Sequence, residues 1–231
     1  MEELLKRLRY KGTSIKSNFP QLFYEEIPTI PIPFFGDVTK AKIITVGINP
    51  SSGELRKNNW NSAMNEKDIN KKLINYFKDN PHEWFETWEK ALKEINYSYY
   101  DGTAAHIDIC PWATKPSSST DQVLFEKLLI QSIPDFYQVL EQCVNLEFIV
   151  LAGSVTKKWY LNKFLFKHPF ADNSLLMKPI IKKPSPYIQE HILKIGDKKI
   201  KTFFCSVSPS ARGNEKEKLI LRIKENKDFF R

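Results

Sequence analysis

Hydrophobic and polar positions alternate along this chain between blocks of strand period and blocks of helix period. Residues 42–48 (KIITVGI) are a short apolar run, rich in β-branched side chains, that suits a strand buried on both faces. The run ends on "NPSSGE", an Asn held ahead of a proline in a loop of small residues. "AAHIDICPW" (104–112) predicts a second strand, ending at Cys110–Pro111. "LEFIVLAG" (146–153) predicts a third, with a helix to follow it. "HILKIGDKKIKTFFCSVSP" (191–209) predicts a hairpin turning at Gly196–Asp197. Between these the period changes to 3.6: Trp84, Phe85, Trp88, Ala91, Leu92 and Ile95 share one face of a helix beginning near Pro81. Thr120 reads as the cap of a helix from Asp121, and Pro134 as the start or kink of a further helix to Cys143. Asn214 and Glu217 read as a capping box for the last helix, with Leu219, Ile220 and Ile223 inward. The first twelve residues suit a short amphipathic helix. Residues 13–40, with Pro20, Pro28, Pro31 and Pro33, read as an extended surface lead-in, and 179–186 as a Pro-rich loop.

Four main strands with helices between them predict an α/β protein: a three-layer α/β/α sandwich around a central, mostly parallel four-stranded sheet. The whole of 1–231 reads as a single domain, with 1–40 its N-terminal helix and lead-in. In such sheets ligands sit outside the carboxyl ends of the strands. Four unusual loops, "NPSSGE", "DICPW", "AGS" and "SPSARGN", all follow strand ends.

Composition narrows the chemistry. The net charge is +8 over 231 residues, which points to an anionic partner, with nucleic acid the commonest. Aromatic residues make up 13%, a share that suits base stacking as well as a core. There is no apolar run of about 18 residues and no signal-like N-terminal core, so a cytoplasmic protein without a membrane span is expected. Cys110, Cys143 and Cys205 are far apart and odd in number, as reduced thiols would be, and have no metal spacing. "VLAGSVTKKW" lacks the two glycines and Gly-Lys-Ser/Thr of a phosphate loop, and neither H-E-x-x-H nor G-x-S-x-G occurs. The expectation is no metal, no cofactor and a monomer. His106 reads as a packed core histidine.

The loops carry the candidate chemistry. Pro50 pushes Asn49 out of the helical region, and Ser51, Ser52 and Gly53 let backbone amides approach a ligand closely. In "SVSPSARGN", serines, Arg212 and a helix start suit a phosphate contact.

Taken together these loops resemble the uracil-DNA glycosylase superfamily. "VGINPSSGE" is similar to the G-I-N-P-G or G-M-N-P-G motif of its mismatch-specific and single-strand-selective branches. "HIDICPW" is similar to H-N-L-C-P-L of the single-strand-selective branch, "VLAG" stands where the family has its third strand, and "SVSPSARGN" stands where it has H-P-S-P. The order agrees over roughly residues 42–224. Residues before 40 and the 56–81 segment match nothing in the family.

The resemblance implies a metal-free, monofunctional DNA N-glycosylase, a hydrolase that flips a nucleotide out of the stack and cuts the base–sugar bond, leaving an abasic site. Asn49 would aim the attacking water, and Ser206 would stand where the family has its histidine. Ser51, Asp108 and Trp112 would meet the base, with Trp60 and Tyr100 as other stacking candidates. Ser52, Ser208, Ser210, Arg212 and Lys115 would meet the DNA backbone, with Lys157 and Lys158 on the basic face. Two departures matter. Asp108 replaces an Asn that offers uracil both a donor and an acceptor; an ionised carboxylate only accepts, which suits the 4-amino group of a cytosine-type base. Ser206 is a weaker donor than histidine. The small Ser51 and Ser52 leave space beside the base 5-position. A hydroxymethylated or glucosylated cytosine of phage DNA, and hence anti-phage defence, is the expected target. Repair of uracil or oxidised thymine is the alternative enzyme. A non-catalytic module that binds modified DNA is the alternative of another class, and an enzyme acting on nucleosides or RNA a third.

Overall fold

The computed structural model describes residues 1–58, 60–79, 81–115, 121–153, 178–179, 188–195, 198–205 and 214–231. Its elements in chain order are α1 (Glu2–Asn18), β1 (Phe34–Phe35), β2 (Ile43–Gly47), α2 (Ser52–Lys57), α3 (Glu66–Ile74), α4 (Tyr76–Asp79) and α5 (Trp84–Lys93). There follow β3 (Ala104–Asp108), α6 (Gln122–Glu141), β4 (Phe148–Ala152), β5 (Lys178–Pro179), β6 (Ile188–Ile195), β7 (Lys198–Cys205) and α7 (Glu215–Glu225).

All seven strands join one sheet in the order β1-β3-β2-β4-β7-β6-β5. The central four, β3-β2-β4-β7, are mutually parallel, as the sequence predicts. The edges are antiparallel: β1 on β3 at one side, β6 and β5 beyond β7 at the other. Every residue of β2, β3 and β4 is buried, so helices cover both faces and the strands need no polar alternation. Because side chains alternate, Thr45 and Gly47 of β2 share a face with His106 and Asp108 of β3, their register partners. That face is roofed by aromatic residues of α4 and α5, with Tyr76, Phe77, Trp84 and Phe85 packed edge-on around Phe35 and His106. α7 packs beside α5, and α6 lies against β3.

Four local expectations are corrected. Residues 13–40 are no surface lead-in: α1 continues to Asn18, and Ile27, Ile30, Ile32, Phe34 and Phe35 are core. The prolines there prevent helix, and apolar neighbours drive the extended chain inward, where Ile32 N donates to Pro111 O and Asp108 N to Pro33 O. Pro134 neither starts nor ends a helix; it sits inside the single α6. The carbonyl it deprives of a donor is that of Ile130, an exposed residue on the outer face of the helix. Asp121, not Thr120, caps α6, accepting from Val123 N and Leu124 N; Thr120 lies outside the described residues. Asn214 precedes α7 as expected but makes no side-chain cap bond. β6 and β7 pair antiparallel as read, with Ile195 opposite Lys198; Gly196 and Asp197, where the turn is expected, lie outside the described residues.

Candidate active site

The carboxyl ends of β2 and β3 lie side by side. Beyond the strands the pairing continues, with Ile109 N donating to Gly47 O and Cys110 N to Ile48 O. Gly47 stands directly across from Asp108, and Asn49 follows two residues later, about 7 Å further along the chain. The "NPSSGE" and "DICPW" loops therefore meet, as their positions after parallel strands require.

Asn49 is half-buried, and its amide is aimed. Nδ2 donates to Thr114 Oγ1 (3.1 Å) and to Pro50 O (3.1 Å). With the nitrogen side so occupied, the amide oxygen is the face left for a ligand; no described residue donates to Oδ1. The next residues turn at once into α2. Ser51 Oγ accepts from Glu54 N, making Ser51 the helix N-cap, and Ser52 is its first residue. Glu54 is itself buried and accepts from Asn58 Nδ2, Trp60 Nε1 and Tyr76 Oη. Tyr76 Oη in turn accepts from His82 N. One buried carboxylate thus ties the site loop to the 56–81 segment.

Asp108 ends β3 and is 4% exposed. Its Oδ1 lies 3.4 Å from His106 Nε2; His106 Nδ1 lies 2.7 Å from Thr45 Oγ1, and Thr45 Oγ1 2.5 Å from the Tyr99 hydroxyl. Burial pushes the Asp108 carboxyl above its usual range, while the neighbouring His106 pulls it back down. Gly47 makes this pair possible: a Cβ there would stand 2.2 Å from Asp108 Oδ1 and 2.7 Å from His106 Nε2.

The aromatic candidates resolve differently from the sequence expectation. Trp112 is a correction: it is 0% exposed, and its indole fits against Gly12 of α1, where a Cβ would stand 2.6 Å from Nε1. It has no face to offer a base. Trp60 is buried and bonded to Glu54. Tyr100 precedes β3, at the opposite end of the sheet. Among the described aromatics, Trp84 is half-buried at the start of α5, its ring edge-on to His106 with centroids 5.1 Å apart. The 3.6-residue spacing placed Trp84 with the core face; its position at the helix tip, over the strand ends, is what exposes it.

Lys115 follows Thr114 and is half-buried, its Nζ 5.8 Å from the Tyr24 ring centre, and Arg56 of α2 lies over the same ring at 5.5 Å. Two cations and an aromatic thereby flank the Asn49 loop. Ser206, Ser208, Ser210 and Arg212, and with them Lys157 and Lys158, lie outside the described residues. Burial pushes the Cys110 and Cys143 thiols up to about 12, so neither is a nucleophile at neutral pH. Among the described residues no His, Cys, Asp and Glu cluster could hold a metal ion, and no helix is long and apolar enough to cross a membrane.

His106, Thr45 and Tyr99 carried a faint signal in the sequence. A Thr and a His at alternate positions of two otherwise apolar strands must find buried partners, and strand parity puts both on the Asp108 face. Against known proteins, no family model matches the chain and no curated protein matches it.

Proposed function

We propose that the protein is a monofunctional DNA glycosylase that hydrolyses the N-glycosidic bond of a flipped-out, 5-substituted cytosine and leaves an abasic site. The observation that carries this reading is the pairing of Asn49 with Asp108. An amide oxygen turned to the open side and a buried acceptor stand on adjacent strand ends. In base hydrolysis the bond to the sugar breaks before water attacks in earnest, so an aimed water suffices and a strong base is not needed. Asn49 Oδ1 is free to hold that water, because Thr114 holds the nitrogen. Asp108 accepts from the 4-amino group of the base, which a uracil 4-oxygen cannot offer. Trp84 supplies the stacking face, and Lys115, Tyr24 and Arg56 the rim along which a charged strand passes. Ser51 and Ser52 meet the nucleotide, Ser206 takes the place of the family's catalytic histidine, and Ser208, Ser210 and Arg212 complete the phosphate contacts. The enzyme acts as a monomer in the cytoplasm, against the modified cytosines of invading phage DNA.

The test is base release read by mass spectrometry from ordinary, uracil-containing, hydroxymethylcytosine-containing and glucosylated DNA, each with an Asn49→Ala control. Release of a cytosine derivative, lost in the control, is the expected result. Release of uracil alone overturns the Asp108 assignment. Tight binding of modified DNA with no base released by either protein overturns the enzyme reading and leaves a binding module.

A further inference from the structure

We infer that Thr45 and His106 are specificity-determining positioning residues: they form a one-way hydrogen-bond relay that fixes Asp108 as an acceptor, so that the site takes a base edge bearing an amino group over one bearing a carbonyl. The consequence for base choice rests on the glycosylase reading above; the relay itself does not.

The relay runs Tyr99 Oη, Thr45 Oγ1, His106 Nδ1, His106 Nε2, Asp108 Oδ1. All four residues are buried, at 3%, 0%, 2% and 4% exposure, so the protein itself must satisfy the chain. Two proton arrangements with a neutral imidazole run one way through every link; one in which Thr45 accepts from both neighbours leaves its own hydrogen without a partner. In the first, Tyr99 donates to Thr45, Thr45 to His106 Nδ1, and the Nε2–H to Asp108. Every hydrogen has an acceptor, and Asp108 Oδ1 carries none. In the second, a protonated Asp108 donates to Nε2, the Nδ1–H donates to Thr45, and Thr45 to Tyr99. The tyrosine hydroxyl hydrogen is then left without an acceptor, because no described residue besides Thr45 stands within reach of Oη. A doubly protonated imidazole ends in the same orphan. A buried unpaired hydroxyl is the costly outcome, so the first arrangement wins.

Tyr99 closes the chain rigidly, its ring stacked on Phe77 at 4.3 Å and 9°. Its backbone N donates to Glu89 Oε2, and Ser98 Oγ to Glu89 Oε1. With Asp108 Oδ1 receiving the Nε2–H, Oδ2 is the oxygen left for a ligand, and in the ionised carboxylate what it asks of that ligand is a hydrogen.

Two measurements on the full chain decide the matter. Nitrogen-15 NMR of the histidine rings reports the His106 tautomer without any substrate; an Nε2–H tautomer at neutral pH is expected, and an Nδ1–H tautomer or a charged ring overturns the relay. The second reads the ratio of base release from matched oligonucleotides carrying hydroxymethylcytosine or uracil. Thr45→Val removes the central hydroxyl at constant volume and should lower that ratio tenfold or more; Thr45→Ser keeps the hydroxyl and should keep the ratio. Equal loss on both substrates with the ratio unchanged makes the chain merely structural. Should the wild-type protein release no base from any DNA, the glycosylase reading falls on its own, and affinity for oligonucleotides carrying the two bases then reads the same ratio.

Discussion

Gly47→Ala is the sharpest probe of the site because the substitution is minimal and its collision is defined. The added methyl would stand 2.2 Å from Asp108 Oδ1, 2.7 Å from His106 Nε2 and 3.1 Å from His106 Cε1. Attractive contact with carbon begins near 3.5 Å, so the carboxylate must retreat by about 1 Å. The strand cannot yield instead, since Gly47 is bonded across to the β3 chain and β2 is held by β4 on its other side. Overpacking of this kind costs about 1–3 kcal/mol. A weakened hydrogen bond to a charged group adds about 1.5 kcal/mol, the low end of its range because the bond is already long. Alanine's better backbone entropy returns about 0.5–1 kcal/mol. The net expectation is a loss of about 1.5–4 kcal/mol by urea unfolding at unchanged m-value, with base preference degraded because Asp108 no longer holds its place. Wild-type stability together with wild-type preference for Gly47→Ala would refute both the packing argument and the role of Asp108.

Asp108→Asn should raise the melting temperature at pH 7. Burial holds the folded-state pKa of Asp108 above its ordinary 3.8, so stability declines as pH rises through that window, and the gain from the amide should vanish below about pH 3.8. The same variant should shift base release toward uracil; unchanged preference would count against the cytosine reading. Gly12→Ala should destabilise by about 1–3 kcal/mol despite the better helix former, because its Cβ would stand 2.6 Å from Trp112 Nε1; a gain in a denaturant melt would show that Trp112 yields. Glu54→Leu should cost about 3 kcal/mol or more, since Trp60 Nε1 and Tyr76 Oη lose their acceptor, and hydrogen exchange in residues 52–58 should rise; protection as in wild type would contradict that carboxylate's organising role. Trp84→Ala should weaken binding of a single-stranded oligonucleotide by about tenfold through lost base stacking, measured by fluorescence anisotropy, whereas Trp112→Ala should act through stability alone.

The sequence by itself determined the four parallel strands, the β6–β7 pairing, and the meeting of the loops after β2 and β3. Those features follow from runs such as IITVG and FIVLA, too short and too β-branched for helix, and from the rule that parallel strands send their exits to one side. It also gave Asn49 and Asp108 as the residues at those exits. Only the tertiary structure decided what stands around them. Trp84 and Trp112 are the same residue type, yet one stands half-buried in the first turn of α5 against His106 and the other fills the groove beside Gly12. The proline-rich 13–40 segment looks solvated residue by residue, but its isoleucines and phenylalanines find the β3 edge. The relay from Tyr99 to Asp108 joins residues 54 apart (Tyr99 to Thr45) and 61 apart (Thr45 to His106). Period and propensity are properties of neighbours along the chain. Burial, tautomer and the room left by a missing Cβ are properties of neighbours in space, and they exist only once the strands have been laid side by side.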